Sequence, residues 1–294
     1  MRLGALVGLI FAAVAAVPVL AAPRAEHIGT YLWQDAGAGF GGLSGFDLAD
    51  DGARFVVVSD RGAVFAGRLA RGDDGAVTSV TITKRARLRG PGEALTGHKN
   101  IDAEGVALDP KGGFFVSFEQ RARILHYAAP GAAADREIRP QVFAAYDNNF
   151  AFEALAIAQD GTLFTIPERP PGLGLPFPVF RVRGAVVDQP FTLPRIGGWA
   201  VSGADFGPDG RLYLLERGYW PLLGFMNRIR RVTLAGDRVV ADEVILETQA
   251  GDFDNLEGMA VWRDARGAIR LTLVSDDNFS PLQKTELVDF RVTE

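Results

Sequence analysis

Carboxylates recur along this chain in a fixed relation to apolar runs and tight turns. In 101–121, Glu104 opens an apolar run, an Asp/Gly turn follows, and a second apolar run ends at Glu119. Phe152-Glu153-Ala154 leads to Glu168-Arg169 in the same way, and Leu256-Glu257-Gly258 leads to Asp276-Asp277-Asn278. Two further copies carry a serine in the first slot: Ser44 leads to Asp60-Arg61-Gly62, and Ser202 to Glu216-Arg217. Carboxylates brought together in pairs can work as general acid and base, or as hard oxygen ligands for a divalent cation.

Three loops add oxygen donors beside these acids. His98-Lys99-Asn100-Ile101-Asp102 precedes Glu104, Asp147-Asn148-Asn149 precedes Glu153, and Asp252-Phe253-Asp254-Asn255 precedes Glu257. Calcium takes roughly six to eight oxygen ligands, so the expected ligand set is Asp102, Glu104, Glu119, Glu153, Glu168, Asp254, Glu257 and Asp276. Zinc suits the inventory less, because the chain has no Cys and only His98 of its 3 His falls in these loops. Glu104, Glu153 and Glu257 are the candidate bases, with His98 and Lys99 as further catalytic candidates. Arg61, Arg121, Arg169, Arg217 and Trp220 are candidate substrate contacts. The loops 169–177 and 217–225 could wall a cleft or pack on each other over the acids. A serine nucleophile is disfavoured, because Gly42-Leu43-Ser44-Gly45-Phe46 lacks the second glycine of a nucleophile elbow.

Two apolar runs joined by a tight turn form a β-hairpin, whose return strand brings its end beside the start of the first. Each hairpin is followed by more strand-like sequence, which makes about four strands per repeat, and no long apolar helical pattern occurs after the first residues. The markers 44, 104, 153, 202 and 257 recur at intervals of 49 to 60 residues. Four-stranded units at such a period predict an all-β fold, a β-propeller. Five blades are favoured, with the lone strand at 28–33 pairing with the last blade to close the ring. A sixth, degenerate blade could lie between 44 and 104. The first strand of every blade lines the central channel, so Asp60, Glu104, Glu119, Glu153, Glu168, Glu216, Glu257 and Asp276 should converge on one mouth. The neighbouring arginines could make that mouth a structural ring of ion pairs, and the asymmetric loops argue for a site.

The amino terminus reads as a secretory signal: Arg2, an apolar run from Leu3 to Val17, then Pro18, Ala21 and Ala22. The expected division is a signal peptide at 1–22 and one propeller domain at 23–294, exported to the periplasm or beyond the cell. No later run is long and apolar enough for a spanning helix. A net charge of −5, one unit more negative without Arg2, offers no footprint for nucleic acid or anionic membranes. The expected partner is a small-molecule ester, and the expected state a monomer.

The chain resembles the phytase-like esterase family, exported bacterial proteins described as having esterase-like activity of phytase. The matching stretches are Leu43-Ser44-Gly45 with Ser59-Asp60-Arg61-Gly62, Asp102-Ala103-Glu104-Gly105 with Phe118-Glu119, Phe152-Glu153-Ala154-Leu155, and Asn255-Leu256-Glu257-Gly258-Met259 with Ser275-Asp276-Asp277-Asn278. The resemblance covers nearly all of 23–294 and implies a propeller and a phosphoester or carboxylester hydrolase. The D-D-P-A motif associated with calcium-dependent propeller phytases is absent. The expected function is therefore an exported, divalent-metal-dependent hydrolase of phosphate or carboxylate esters, with calcium as the metal. A non-catalytic binding propeller and a sugar-lactone hydrolase are the alternatives.

Overall fold

A computed structural model of the chain describes residues 22–294 apart from 93, 147–150 and 173. Residues 1–21 of the expected signal peptide 1–22 and the Asp147-Asn148-Asn149 loop lie outside the described residues. The rest forms five four-stranded antiparallel sheets. Blade 1 runs through β2 (Leu43–Leu48), β3 (Arg54–Ser59), β4 (Ala63–Arg71) and β5 (Val77–Arg87). Blade 2 holds β6 (Ala103–Leu108), β7 (Phe114–Phe118), β8 (Arg123–Tyr127) and β9 (Arg136–Ile138). Blade 3 is β10 (Ala154–Ile157), β11 (Leu163–Ile166), β12 (Phe177–Arg183) and β13 (Val186–Leu193). Blade 4 is β14 (Ala200–Phe206), β15 (Leu212–Trp220), β16 (Gly224–Ala235) and β17 (Arg238–Glu247). Blade 5 takes β18 (Asn255–Arg263), β19 (Ile269–Asp276) and β20 (Glu286–Thr293), and its outer strand is β1 (Arg24–Leu32), paired antiparallel with β20.

The architecture is a five-bladed β-propeller. The innermost strands form a closed circuit, β2 against β6 and β18, β6 against β10, β10 against β14, and β14 against β18. A sixth blade is not present among the described residues. The long interval from 44 to 104 is filled instead by the 11-residue β5 and a loop ending in the short helix α1 (His98–Ile101).

Turn chemistry explains why each hairpin forms where it does. Asp51, Asp109, Asp160, Asp209 and Asp264 each accept a hydrogen bond from the backbone N–H two residues on, at 2.8 to 3.2 Å. An aspartate that bonds its own backbone in this way fixes a tight turn. The core lies between facing blades rather than in one central mass. Phe46, Phe55 and Val57 of blade 1, for example, bury against Ala260, Trp262 and Val274 of blade 5. None of the described helices is long and apolar enough to cross a membrane.

One irregularity repeats and positions the mouth. The pairing of the inner two strands slips between Leu43 and Gly45, Ala103 and Val106, Val201 and Gly203, and Leu256 and Gly258. A bulge of this kind leaves a residue unpaired and re-aims its side chain. The residues left out of the pairing are Ser44, Ser202 and Glu257, and in blade 2 Glu104 with Gly105. The glycine after each serine or glutamate lets the neighbouring blade approach: a Cβ on Gly45 would lie 2.2 Å from the Glu104 carbonyl oxygen, and one on Gly203 would lie 2.6 Å from that of Glu257.

Candidate functional site

Strand register decides which side chains meet at the mouth. Leu43 pairs with Ser59, Ala103 with Phe118, Val201 with Glu216, and Leu256 with Ser275. The residue after each return partner is therefore the one that turns to the axis: Asp60, Glu119, Arg217 and Asp276. Blade 3 supplies Glu168, whose N–H bonds the Ala151 carbonyl just as that of Asp60 bonds Gly42 and that of Glu119 bonds Asp102. The sequence pattern put Glu216 in this ring, and the register corrects it by one residue. Glu216 is fully buried inside blade 4, where its carboxylate accepts hydrogen bonds from Arg228 Nε at 2.6 Å and Arg230 at 2.9 Å.

Arg217 thus occupies the slot that the other four blades give to an acid. Its guanidinium pairs with Glu257, reaches Glu153 at 3.2 Å and Glu168 at 3.4 Å, and donates to Asn255 Oδ1 at 3.3 Å. Asn255 in turn donates to Glu257 at 2.7 Å. Burial opposes the charge on Arg217, but Glu153, Glu257, Glu168 and Glu104 outweigh it and hold its pKa up.

One guanidinium does not balance the acids around it. Burial, reinforced by Glu153, Glu257, Asp102 and Glu119, raises Glu104 well above the ordinary carboxylate range. Glu104 is enclosed by protein yet keeps partial solvent contact, as expected of a side chain facing a wet channel. Burial also raises Glu153, with Arg217 pulling it part of the way back. Glu119 is pushed up to about 7 by burial and by Asp102 and Glu168. Asp276 is pushed to about 8 by burial and Glu257, and Asp60 to about 6 by burial and Asp102. Asp102 rises through burial against the opposing influence of His98. The common cause is desolvation of like charges sharing one space.

Asp102, Glu104 and Glu119 come closest to a ligand set, each offering an oxygen within 4.8 Å of the others. These are hard donors with too little positive charge nearby, which fits a divalent cation of the calcium or magnesium kind. The group could hold a metal ion.

Beside the ring a cavity of about 1210 Å³ opens between blades 4 and 5. Glu168, Arg217 and Asn255 reach its lining, so the ring and the cavity share a wall. The β15–β16 hairpin rises on one side and the segment after β19 on the other. Ser44, Glu153 and Glu257 line the narrow channel on the axis below.

The remaining predicted residues are spread more widely. His98 and Lys99 are exposed on α1, with His98 Nδ1 3.7 Å from Asp102 Oδ2. Asp254 caps a loop: its carboxylate accepts from the N–H groups of Asn255 and Lys284 and from Gln283 Nε2. Arg61 stacks on the Phe279 ring at 3.4 Å, Arg121 reaches Glu137 at 3.4 Å, and Arg169 lines the cavity at 3.6 Å from Glu168. In the aromatic hairpin Tyr219 and Phe225 line the cavity, whereas Trp220 is outside the lining and 59% exposed. Sequence reasoning missed the ring position of Arg217 and the clamp by Asn255. Aligning the copies by return-strand partner instead of by the nearest acid would have found the first.

Comparison with solved structures finds propellers at low identity. A PQQ-bound aldose sugar dehydrogenase from Streptomyces coelicolor is 13% identical with a TM-score of 0.43, covering 92% of this chain and 100% of that one. A protein provisionally assigned as a gluconolactonase is 13% identical with a TM-score of 0.43, covering 93% of this chain and 94% of its own. No curated protein sequence matches the chain. The family comparison is specific: residues 38–279, which carry all five acid-bearing hairpins, match the Phytase-like family, described as esterase-like activity of phytase, and the chain belongs to that family.

Proposed function

We propose that the chain is an exported hydrolase of phosphate or carboxylate esters that works with a divalent cation, calcium by the nature of its ligands. The observation that carries this reading is the crowding of Asp102, Glu104 and Glu119 within 4.8 Å, in a ring whose acids outnumber its single arginine. Family membership supports an ester as substrate. A cation held by these three carboxylates would polarise the ester oxygen and acidify a water molecule.

The chain's own groups divide the remaining work. Arg217 is fixed from several sides and presents positive charge at the cavity wall, where it can hold an anionic oxygen of the ester. Glu168 is the ring acid that lines the cavity, and it is placed to take a proton from the attacking water. The water's oxygen bonds to the acyl carbon or phosphorus, the bond from that atom to the alkoxy oxygen breaks, and the proton taken up by Glu168 passes to the departing alkoxide. Asn255 and Glu257 keep the Arg217 guanidinium in one orientation.

The test uses aryl phosphates and aryl carboxylate esters with calcium, with chelator, and with Glu104→Gln. Turnover that needs calcium and falls at least about a hundredfold in the variant is expected. Activity indifferent to both chelator and substitution would sink the assignment. Cell fractionation with amino-terminal sequencing tests export: recovery in the cytoplasm with Arg2 intact overturns it, whereas Arg2 intact outside the cytoplasm overturns only cleavage of the signal.

A further inference from the structure

The cavity beside the ring has a composition that the acid chemistry does not use. Among the described residues the two most exposed large apolar side chains are Leu222 at 95% and Leu282 at 91%. They lie far apart in sequence, Leu222 on the β15–β16 hairpin and Leu282 on the segment after β19, yet both line this cavity. Below them, Tyr219 and Phe225 pack with ring centroids 5.0 Å apart, and Pro221 and Phe253 add further apolar wall. Large apolar groups standing in water on two sides of one cavity mark a place where something apolar is bound.

The charge on the walls points the same way. Arg169, Arg217 and Lys284 are the cations of the lining. Glu168, Asp252, Asp254 and Glu286 outnumber them. A ligand bearing many phosphates needs a surplus of cations, which these walls lack.

We propose that this cavity takes an ester with an extended alkyl or aryl group, gripped between Leu222 and Leu282 with its ester oxygens toward Arg217, and does not take a polyphosphorylated ligand. The inference rests on the hydrolase reading for the ester itself, and on the cavity walls for the apolar group.

Two non-hydrolysable probes separate these supports: octyl phosphonate and methyl phosphonate, titrated calorimetrically into the calcium-loaded protein. Octyl phosphonate is expected to bind at least about tenfold more tightly, since each buried methylene adds severalfold. In the double variant Leu222→Ser with Leu282→Ser that advantage is expected to shrink to about threefold or less. Both side chains are exposed, so the fold should survive, and circular dichroism checks it. Myo-inositol hexakisphosphate is expected not to displace the octyl probe. Equal binding of the two phosphonates, an advantage unchanged in the double variant, or displacement by the hexakisphosphate would each overturn the proposal. Aryl ester turnover is read separately. Tight octyl binding without turnover refutes the hydrolase reading and leaves the ligand class standing, whereas turnover without a chain-length effect does the reverse.

Discussion

Replacing Arg217 with Met tests how the mouth is held together. The guanidinium contacts three carboxylates, Glu257, Glu153 at 3.2 Å and Glu168 at 3.4 Å, and its side chain is 21% exposed. Removing one partner of a buried ion pair costs about 3–5 kcal/mol, and partial exposure places this case near the lower end. A loss of about 3 kcal/mol in a domain of this size lowers Tm by roughly 6–12 °C. The loss must depend on pH. Arg217 lowers the pKa of Glu153, so without it Glu153 rises further above its unfolded value. A carboxyl with a raised folded pKa stabilises the fold below its unfolded pKa, and that contribution disappears as pH climbs through the folded value. The deficit should therefore be small where carboxylates are protonated in both states and should widen as pH climbs above the ordinary carboxylate range, so it is larger at pH 8 than at pH 5. Thermal unfolding in chelator at pH 5 and pH 8, followed by circular dichroism, measures it. Equal deficits at the two pH values, or a deficit under about 1 kcal/mol at pH 8, would refute the electrostatic account of the ring.

The unsubstituted protein in chelator should also be more stable near pH 5 than near pH 8, because Glu119, Asp276 and Asp60 have folded values of about 7, 8 and 6. Saturating calcium should flatten that profile, and denaturant midpoints across the range would show whether it does. Glu216→Gln leaves Arg228 and Arg230 facing a neutral amide inside blade 4 and should cost about 3–5 kcal/mol. Calcium affinity, measured by titration calorimetry, should stay unchanged in that variant, since Glu216 points away from the mouth.

How much of this was legible in the sequence follows from what repeats. The Asp turns and the apolar runs recur in every blade, so the hairpins, the propeller and the blade count could be read from 44, 104, 153, 202 and 257. What does not repeat was harder to read. Glu216 resembles the other acids because it is an acid at the end of a strand, and only pairing with Val201 shows that its side chain faces the blade interior. The cavity was partly visible, because the 217–225 loop is aromatic and next to an arginine. Its second wall, carrying Leu282 and Gln283, offers no pattern in one dimension and is joined to the first only by the closure of blade 5 on blade 4.

The distribution of acids along the inner strands argues that the mouth is more than scaffold. Where the bulge residue is serine, at Ser44 and Ser202, the residue three positions on is an aspartate, Asp47 and Asp205. Asp47 accepts from the N–H of Leu108 at 2.7 Å, and Asp205 from that of Val261 at 2.6 Å, so each ties its blade to a neighbour. Where glutamate stands there instead, at the bulge residues Glu104 and Glu257 and at Glu153 just before β10, the residue three positions on is the buried Ala107, Ala260 or Ala156. Each inner strand carries an acid at one of these two levels, and the inter-blade tie is made at the lower one. Burial raises Asp47 to about 7, but the backbone N–H groups of Leu108 and Leu48 hold it back. The largest influences on Glu104 all push the same way, burial and four neighbouring carboxylates. A fold needing only an inter-blade latch would use the aspartate arrangement in all five blades. Glutamates crowded at the mouth cost stability unless a cation sits among them, and Glu104, the least compensated of them, is where a cation would recover the most.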